Sequence, residues 1–157
     1  MHPHYQVRKV CRIQNEELWE AFSLKKKWMQ KDLTDVNEKL LFHGTRKENV
    51  DAIAQQGFDW RISGSSVGTK FGKGSYFARD ASYSNNYTDS RQLFLVRVLV
   101  GDSVQGYPNY VKPPTKSSPG GKAYNSCVND SSNPSIYVIF ERAQTYPEYL
   151  INYTKNS

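Results

Sequence analysis

The sequence has 157 residues but only two cysteines, Cys11 and Cys127, and only three histidines. Two cysteines are too few for the disulfide framework of a small secreted protein, so we expect a reducing intracellular location, cytoplasmic or nuclear. The histidines, His2, His4 and His43, are not spaced with the cysteines as zinc ligands are. We therefore predict no metal site.

Long hydrophobic segments are also missing. No apolar run approaches the roughly 20 residues that a membrane-spanning helix needs. The first ten residues, MHPHYQVRKV, lack the apolar centre of a secretory signal, so we predict no membrane partner. The length fits one domain, residues 1–157, and the opening HPHYQV indicates a fragment of a larger protein. We expect this domain to be monomeric in isolation.

Positive charge exceeds negative charge, with 21 Lys and Arg against 15 Asp and Glu. The densest positive segment is SLKKKWMQK, residues 23–31. A lysine-rich helix face is more often solvated surface than a nucleic-acid footprint, and a mild positive excess also suits an anionic small molecule. An RNA-binding module with exposed aromatics in a basic groove stays an alternative. We expect RNA binding only through domains outside this chain.

Hydrophobic patterning predicts an α+β fold with mostly strands, two or three short helices and long loops. The segments HYQVRKVCRIQN, KLLFHGT, RQLFLVRVLVG, PSIYVIFER and YPEYLINY are typical of strands, as is the short stretch 75–78. Helices are predicted after Asn15 as a cap, in KENVDAIAQQG up to Gly57, and after Asp80 as a cap. Residues 102–134 are rich in Gly, Pro, Ser and Asn, which predicts loop with fragments of strand.

The first predicted helix has a recognisable apolar pattern. Glu16 and Glu17 would occupy its first turn. Large apolar residues repeat at helical spacing: Leu18, Trp19, Phe22 and Trp28.

The segment FGKG, residues 71–74, looks at first like a phosphate-binding loop. No Ser or Thr follows its lysine, and the glycines match neither G-x-x-x-x-G-K-S/T nor G-x-G-x-x-G. Aromatic residues surround it instead: Phe71, Tyr76, Phe77 and Tyr83.

His43 ends an apolar strand and is followed by Gly44 and Thr45. Taken alone, a histidine there is more often a strand-end residue bonded to backbone. A glycine, however, lets a ligand approach the backbone closely, so that its N–H and C=O can pair with a primary carboxamide. Such a pair discriminates an amide from an acid, because the wrong group leaves a buried partner unpaired.

Tyr76 and Tyr87 flank the helix predicted after Asp80. Each alone would more often be a core residue. Ser84 lies three residues before Tyr87, so both side chains can face one cleft. A flat ring between two tyrosines gains about 0.5–1.5 kcal/mol per stack beyond its burial. These residues favour a site for an aromatic ring that carries a carboxamide.

Three ordered segments, LFHGT, FGKGSYFARDASYSNNY and NPSIYVIFERAQ, resemble the catalytic domain of the poly(ADP-ribose) polymerase-like, or diphtheria-toxin-like, ADP-ribosyltransferases. The likeness runs from about Tyr5 to Tyr153, and RIQNEELWEAF and YPEYLINY are most similar to the zinc-finger/WWE and macrodomain members. It implies the ADP-ribosyltransferase fold, a mixed or antiparallel split β-sheet with a few short helices. It also implies NAD as co-substrate, whose nicotinamide is a carboxamide-bearing ring, and protein acceptors.

The resemblance assigns roles to the residues around the glycine. His43 would contact a ribose of NAD, on the adenosine or the nicotinamide side. Gly44 would pair its backbone with the carboxamide, and Thr45 would help to hold the adenosine ribose.

It assigns roles to the tyrosine segment as well. Tyr76 and Tyr87 would sandwich the nicotinamide, and Ser84 would bond its amide oxygen. FGKG is then a turn that delivers Tyr76 to this pocket. The loop from Arg61 to Val67 would be a flexible flap over the co-substrate.

One position departs from the family pattern. Where chain-building members carry a catalytic glutamate, the matching residue is Ile136, and Glu148 in YPEY is a decoy. With His43 and Tyr76, Ile136 would complete the catalytic set. An isoleucine has no lone pair to orient a ribose hydroxyl or to activate an incoming one. This implies mono-ADP-ribosylation of protein side chains, in which an acidic acceptor brings its own carboxylate.

An inactive module that binds NAD or ADP-ribose with the same fold is the main alternative. Some family members with changed His or Tyr positions are inactive, whereas His43, Tyr76 and Tyr87 are all present here. This favours an active enzyme. The loop from Gly101 to Asn133 is expected where acceptors are selected, and its sequence specifies no acceptor.

Overall fold

The computed structural model describes residues 4–63, 69–117 and 121–156. These residues form one eight-stranded sheet with helices packed on it, which confirms the α+β prediction. The strands are β1 (Tyr5–Arg12), β2 (Glu38–Gly44), β3 (Ser75–Ala78), β4 (Gln92–Leu99), β5 (Ser103–Gln105), β6 (Ser126–Val128), β7 (Ile136–Ile139) and β8 (Thr145–Lys155). The helices are α1 (Glu16–Asp32), α2 (Lys47–Gln56), α3 (Trp60–Ser63) and α4 (Ala81–Ser84), with single 3₁₀ turns at 85–87 and 142–144.

The sheet consists of two halves that are weakly joined. Its strand order is β1-β8-β4-β2-β3-β7-β6-β5, and all neighbours are antiparallel except β5 and β6. Strands β2 and β4 pair along the whole of β2, whereas β2 and β3 meet only at Phe42 and Ala78. We call this junction the seam, β1-β8-β4-β2 the first half-sheet and β3-β7-β6-β5 the second half-sheet. The predicted mixed, split sheet is thereby confirmed.

Strand β4 is the centre of the core because both of its faces are covered. On one face Val96 and Val98 belong to a cluster with Leu41 of β2 and with Val50 and Ile53 of α2. On the other face Leu99 packs with residues of α1 and β8: Phe22, Met29 and Tyr146. A strand enclosed in this way needs a nearly continuous apolar sequence, as RQLFLVRVLVG has.

Asn15 caps α1 as predicted and also ties it to α2. Its Oδ1 accepts the Leu18 N–H at 3.1 Å, while its Nδ2 donates to the carbonyls of Ala54 and Gln55, each at 3.0 Å. At 17 residues α1 is longer than the short helices expected. Of the apolar residues at helical spacing in α1, Phe22 is buried, whereas Trp19 and Trp28 are 43% and 57% exposed, and Trp28 lies beneath the Lys31 ammonium.

The structure also bears on three other local predictions, at Gly57, Asp80 and Arg61. Gly57 ends α2 with a φ of 81°, as predicted. Asp80 does precede α4, but its carboxylate bonds no helical N–H and pairs with Arg79 at 3.1 Å instead. The predicted flap from Arg61 begins as helix α3, and its residues 64–67 lie outside the described residues.

The described residues include no helix that is long and apolar enough to cross a membrane. In the same part of the chain, no three His, Cys, Asp or Glu side chains are grouped so that they could hold a metal ion.

Candidate active site

A cleft of about 250 Å³ lies at the seam, between β2, β3 and α4. It brings together the six residues predicted to bind NAD: His43, Gly44, Thr45, Tyr76, Ser84 and Tyr87. Residues that the sequence analysis did not assign to the site complete its lining: Arg46, Asn49, Trp60, Gly74, Ser75, Tyr83 and Asn86.

His43 spans the seam from β2. Its Nδ1 lies 2.7 Å from the carbonyl oxygen of Tyr76 in β3. Since a carbonyl oxygen can only accept, Nδ1 carries the proton and donates it, which leaves Nε2 as an acceptor in the neutral ring. The Nε2 atom has no hydrogen-bond partner among the residues described. It is therefore available to a ligand hydroxyl.

The surroundings of His43 keep it neutral. Its ring packs against Phe58 at 4.7 Å and Phe77 at 5.3 Å between centroids, and its side chain is buried. Burial lowers the pKa of His43 to about 4, against which the hydrogen bond with Tyr76 acts only weakly. At neutral pH this residue accepts a hydrogen bond and carries no charge.

Tyr76 presents its ring to the cleft and uses its hydroxyl internally. The hydroxyl donates to the Gly72 carbonyl at 2.7 Å and accepts the Phe71 N–H at 2.9 Å. Gly72 has a φ of 129°, a conformation that favours glycine. Residues 71–74 thus form a turn that holds the Tyr76 hydroxyl, and the delivery of Tyr76 to a nicotinamide pocket stays a prediction. What remains of Tyr76 for a ligand is a stacking surface.

Gly44 and Ser84 are in direct backbone contact. A Cβ at Gly44 would lie only 1.9 Å from the Ser84 carbonyl oxygen. The glycine is thus required for α4 to pack on β2, in addition to any approach of a ligand. Ser84 is 2% exposed, and its hydroxyl makes no hydrogen bond within the described part of the chain. That hydroxyl is free to pair with a polar group in the cleft.

Tyr87 and Tyr83 form a hydrogen-bonded pair. The Tyr87 hydroxyl donates to the Tyr83 hydroxyl at 3.1 Å, and their ring centroids are 5.2 Å apart at 56°. Burial raises the pKa of Tyr83 well above its usual value. The Tyr83 phenol is therefore protonated at neutral pH. The four-residue spacing in YSNNY was a signal for this pair.

Thr45 has a neighbour that the sequence analysis missed. Asn49, four residues later in α2, donates from Nδ2 to the Thr45 Oγ1 at 3.2 Å. Trp60, at the start of α3, forms another wall of the cleft. No local pattern indicated Trp60, because a four-residue helix has too few positions to show a period.

The comparison with known families agrees with this geometry. A family model described as the poly(ADP-ribose) polymerase catalytic domain matches residues 1–155. The chain belongs to this family. The resemblance seen in the sequence is thereby confirmed, and the abbreviation PARP is used for the family below.

Several curated PARP proteins are similar to this chain along nearly its whole length. Protein mono-ADP-ribosyltransferase PARP12 of Mus musculus is 52% identical over 99% of this chain. Protein mono-ADP-ribosyltransferase PARP11 of Mus musculus is 40% identical over 94%, and protein mono-ADP-ribosyltransferase PARP14 of Homo sapiens is 37% identical over 97%. The matches cover 22%, 52% and 9% of those proteins, so this PARP domain spans only part of the length of its relatives.

Ile136 and Glu148 occupy different places in this PARP domain. Ile136 begins β7, opposite Ala78 of β3, and the Asn129 Oδ1 accepts its N–H at 3.0 Å. It is not among the residues that line the cleft, so its catalytic role stays a prediction. Glu148 lies on β8, buried, with its carboxylate paired to Arg97 at 2.6 and 3.0 Å. The carboxylate of Glu148 thus serves an ion pair away from the cleft.

Proposed function

We propose that this PARP domain, acting as a single catalytic unit, transfers one ADP-ribose from NAD to a protein side chain and releases nicotinamide. The cleft at the seam carries the proposal, because it combines two tyrosine rings with free polar atoms that match the groups of NAD. The names of the relatives, which are mono-ADP-ribosyltransferases, support the same reaction.

The nicotinamide fits the tyrosine side of the cleft. Tyr76 and Tyr87 offer ring surfaces, and the Tyr76 hydroxyl is occupied by its own turn. The unpaired Ser84 hydroxyl can donate to the carboxamide oxygen, next to the backbone of Gly44. An acid in place of the amide would lose part of this pairing, which explains selection for a primary carboxamide.

The ribose groups fit the side of the cleft formed by β2 and α2. The Nε2 of His43 accepts from a ribose hydroxyl, and its Nδ1–H bond to Tyr76 holds the ring in the required tautomer. Thr45 and Asn49, already bonded to each other, offer a second polar pair for the adenosine ribose.

The chemistry is a displacement at the anomeric carbon of the nicotinamide ribose. The bond between this carbon and the nicotinamide nitrogen breaks, and its electron pair leaves with nicotinamide. A lone pair of the acceptor oxygen forms the new bond. Positive charge builds on the ribose in the transition state, as in glycoside hydrolysis. Because burial keeps His43 neutral, it places no second positive charge beside the ribose.

Transfer of a single unit follows from Ile136. A hydroxyl of an already attached ADP-ribose is a weak nucleophile and needs a base to extend the chain. Ile136 has no polar atom with which to supply that base. An acceptor carboxylate, in contrast, is already ionised at neutral pH and attacks without losing a proton. We therefore propose acidic side chains as acceptors.

Incubation of the domain with biotin-labelled NAD, read by gel blot, tests this function. We expect a discrete labelled band, absent in Tyr76→Ala because the stacking ring is lost. A high-mass smear would contradict single-unit transfer. If no label appears but NAD raises the unfolding temperature, the domain is an inactive NAD-binding module.

A further inference from the structure

The three tyrosine hydroxyl groups in the cleft differ in whether they can still donate a hydrogen bond to a ligand. Tyr76 both donates and accepts within its own turn, at 2.7 and 2.9 Å. The Tyr87 hydroxyl donates its hydrogen bond to the Tyr83 hydroxyl oxygen at 3.1 Å. Tyr83 accepts that proton, and its own O–H has no acceptor among the residues described. Of the three tyrosines that line the cleft, Tyr83 alone retains a proton to donate.

The Tyr83 hydroxyl keeps its proton at neutral pH. The side chain is half-buried in the cleft wall, so ionisation is unfavourable and the phenol stays a donor at neutral pH. A donor in a half-buried cleft without a partner costs free energy in the empty protein. That cost is recovered when a ligand provides an acceptor.

The position of Tyr83 limits which part of NAD it can reach. It directly precedes Ser84, the residue proposed for the carboxamide, and its oxygen is bonded to Tyr87, one of the two stacking rings. Tyr83 therefore lies at the edge of the proposed nicotinamide stack. The group attached to the nicotinamide ring at its nitrogen is the ribose, whose hydroxyl oxygens are acceptors.

The nicotinamide ribose also needs such a contact. Bond cleavage requires this ribose to be held in one orientation relative to the leaving ring and the incoming acceptor. Ile136 provides no hydrogen bond for that purpose. Within the described cleft lining, His43 Nε2 is a free acceptor and Ser84 is proposed to bind the amide, while Tyr83 is the donor that lies beside the stacking ring of Tyr87.

We infer that Tyr83 is a further catalytic residue, whose hydroxyl donates a hydrogen bond to a hydroxyl of the nicotinamide ribose and orients this ribose for cleavage. The inference rests on the proposed function. It assigns to a phenol the orienting contact that the side chain at position 136 cannot make.

Steady-state release of nicotinamide by wild type, Tyr83→Phe and Tyr87→Phe tests this role. Tyr83→Phe keeps the ring and removes one uncharged hydrogen bond, so we expect kcat to fall about 3- to 10-fold with little change in KM for NAD. Tyr87→Phe is the matched control, since it removes the same Tyr–Tyr bond and leaves the Tyr83 hydroxyl in place. We expect its loss of kcat to be clearly smaller.

NAD analogues lacking the 2′- or the 3′-hydroxyl of the nicotinamide ribose identify the contact. With the analogue that lacks the hydroxyl bonded by Tyr83, wild type and Tyr83→Phe should have the same kcat, because the hydrogen bond is absent from both. With the other analogue, the difference in kcat between wild type and Tyr83→Phe should persist.

Several results would overturn the inference. One is a Tyr83→Phe enzyme with the same kcat as wild type on NAD. Another is a difference in kcat between the two enzymes that persists with both analogues. Equal losses in Tyr83→Phe and Tyr87→Phe would show that Tyr83 only braces Tyr87. If wild type itself releases no nicotinamide, it is the proposed function that fails. Binding of free nicotinamide, which has no ribose, should be the same in wild type and Tyr83→Phe.

Discussion

His43 shows how much of the site depends on a single hydrogen bond. The bond from Nδ1 to the Tyr76 carbonyl sets the tautomer, orients Nε2 and connects two strands that otherwise meet at one residue pair. Phe58 and Phe77 then enclose the ring and remove it from water. Function and stability are therefore coupled at this residue, because the same burial that prepares an acceptor also opposes protonation.

Stability should fall in mild acid because of His43. Burial lowers its pKa to about 4 from an ordinary value of 6.5. Between these values the unfolded chain binds a proton that the folded chain does not, so unfolding becomes easier as pH falls. The stabilising contribution is complete above pH 6.5, and roughly 2–3 kcal/mol of it is lost by pH 4.5.

Urea unfolding at pH 7 and pH 4.5 measures this loss. His43→Asn, which carries no titrating ring, is the control, and its free energy of unfolding should fall less over the same interval. An identical pH dependence of both proteins would show that His43 is not the titrating group.

The cleft-lining candidates were found in the sequence because three ordered segments together resemble those of a known family, although each residue taken alone would more often be structural. His43, Tyr76 and Ser84 all reach the cleft as predicted. The contact of Gly44 with the Ser84 carbonyl was not predicted, because it joins residues 40 positions apart and depends on how α4 packs. The free proton of Tyr83 was not predicted either, since a sequence does not show which hydroxyls bond each other.

Among the elements, regular strands were predicted better than helix ends. The bounds of β3, Ser75–Ala78, agree with the prediction, because Gly74 and the charged pair after Ala78 delimit a short apolar run. Asp80 did not act as a cap, because Arg79 beside it offers its carboxylate a cation. Trp28 lies outside the stripe of Phe22 and Met29 that α1 buries.

Three strands of the first half-sheet are tied by an ion-pair network. Arg97 on β4 donates to Glu148 on β8 at 2.6 and 3.0 Å and to Glu38 on β2 at 3.0 Å. Beside Lys26 and Arg97, the pKa of Glu38 lies below its ordinary value, although burial alone would raise it. Glu148 is 7% exposed, so its charge depends on Arg97 for compensation.

Glu148→Gln should destabilise the domain without affecting catalysis. The change leaves Arg97 with a poorer partner at a largely buried position, at a cost of about 2 kcal/mol of unfolding free energy, since Arg97 keeps Glu38 and some water. Urea unfolding measures the cost. Labelling with NAD per folded molecule should equal that of wild type, because Glu148 lies outside the cleft.

The pair of Glu141, which is exposed, and Lys25, which is partly exposed, provides the matched control. Glu141→Gln should change the unfolding free energy by less than about 0.5 kcal/mol, as is usual for surface ion pairs. A loss of transfer activity in folded Glu148→Gln would make Glu148 a catalytic candidate, contrary to its interpretation as a decoy.

At the scale of the whole molecule, the site lies across the least connected part of the sheet. His43 and Gly44 belong to the first half-sheet, and Tyr76 belongs to the second. A ligand bound between them contacts both halves at once. NAD should consequently resist separation of the half-sheets, in addition to stabilising the site itself.

Thiol labelling of the two cysteines can measure this effect. Cys127 lies fully buried on β6, where burial raises the pKa of its thiol to about 11, so labelling requires the second half-sheet to open. If NAD binds only the closed form, NAD at ten times its Kd should slow Cys127 labelling about tenfold. Mass spectrometry of the labelled peptides gives the rate.

Cys11 serves as the internal control because it is partly exposed on β1, in the first half-sheet. NAD should leave its labelling rate unchanged. If NAD leaves the Cys127 rate unchanged as well, the second half-sheet opens without disturbing the site, and the proposed bridging is wrong.

The pairing of β1 with β8 determines how the domain would respond to a pulling force. Tyr5 lies opposite Lys155, and the His4 carbonyl accepts the Asn156 N–H at 2.6 Å, so both ends of the described chain lie side by side. Tension applied to these ends would break the hydrogen bonds between β1 and β8 one at a time, in an unzipping geometry. In a shear geometry all of these bonds would be loaded together. Strand β1 would detach at low force, while β4, β2 and β3, which carry the site, would remain unloaded.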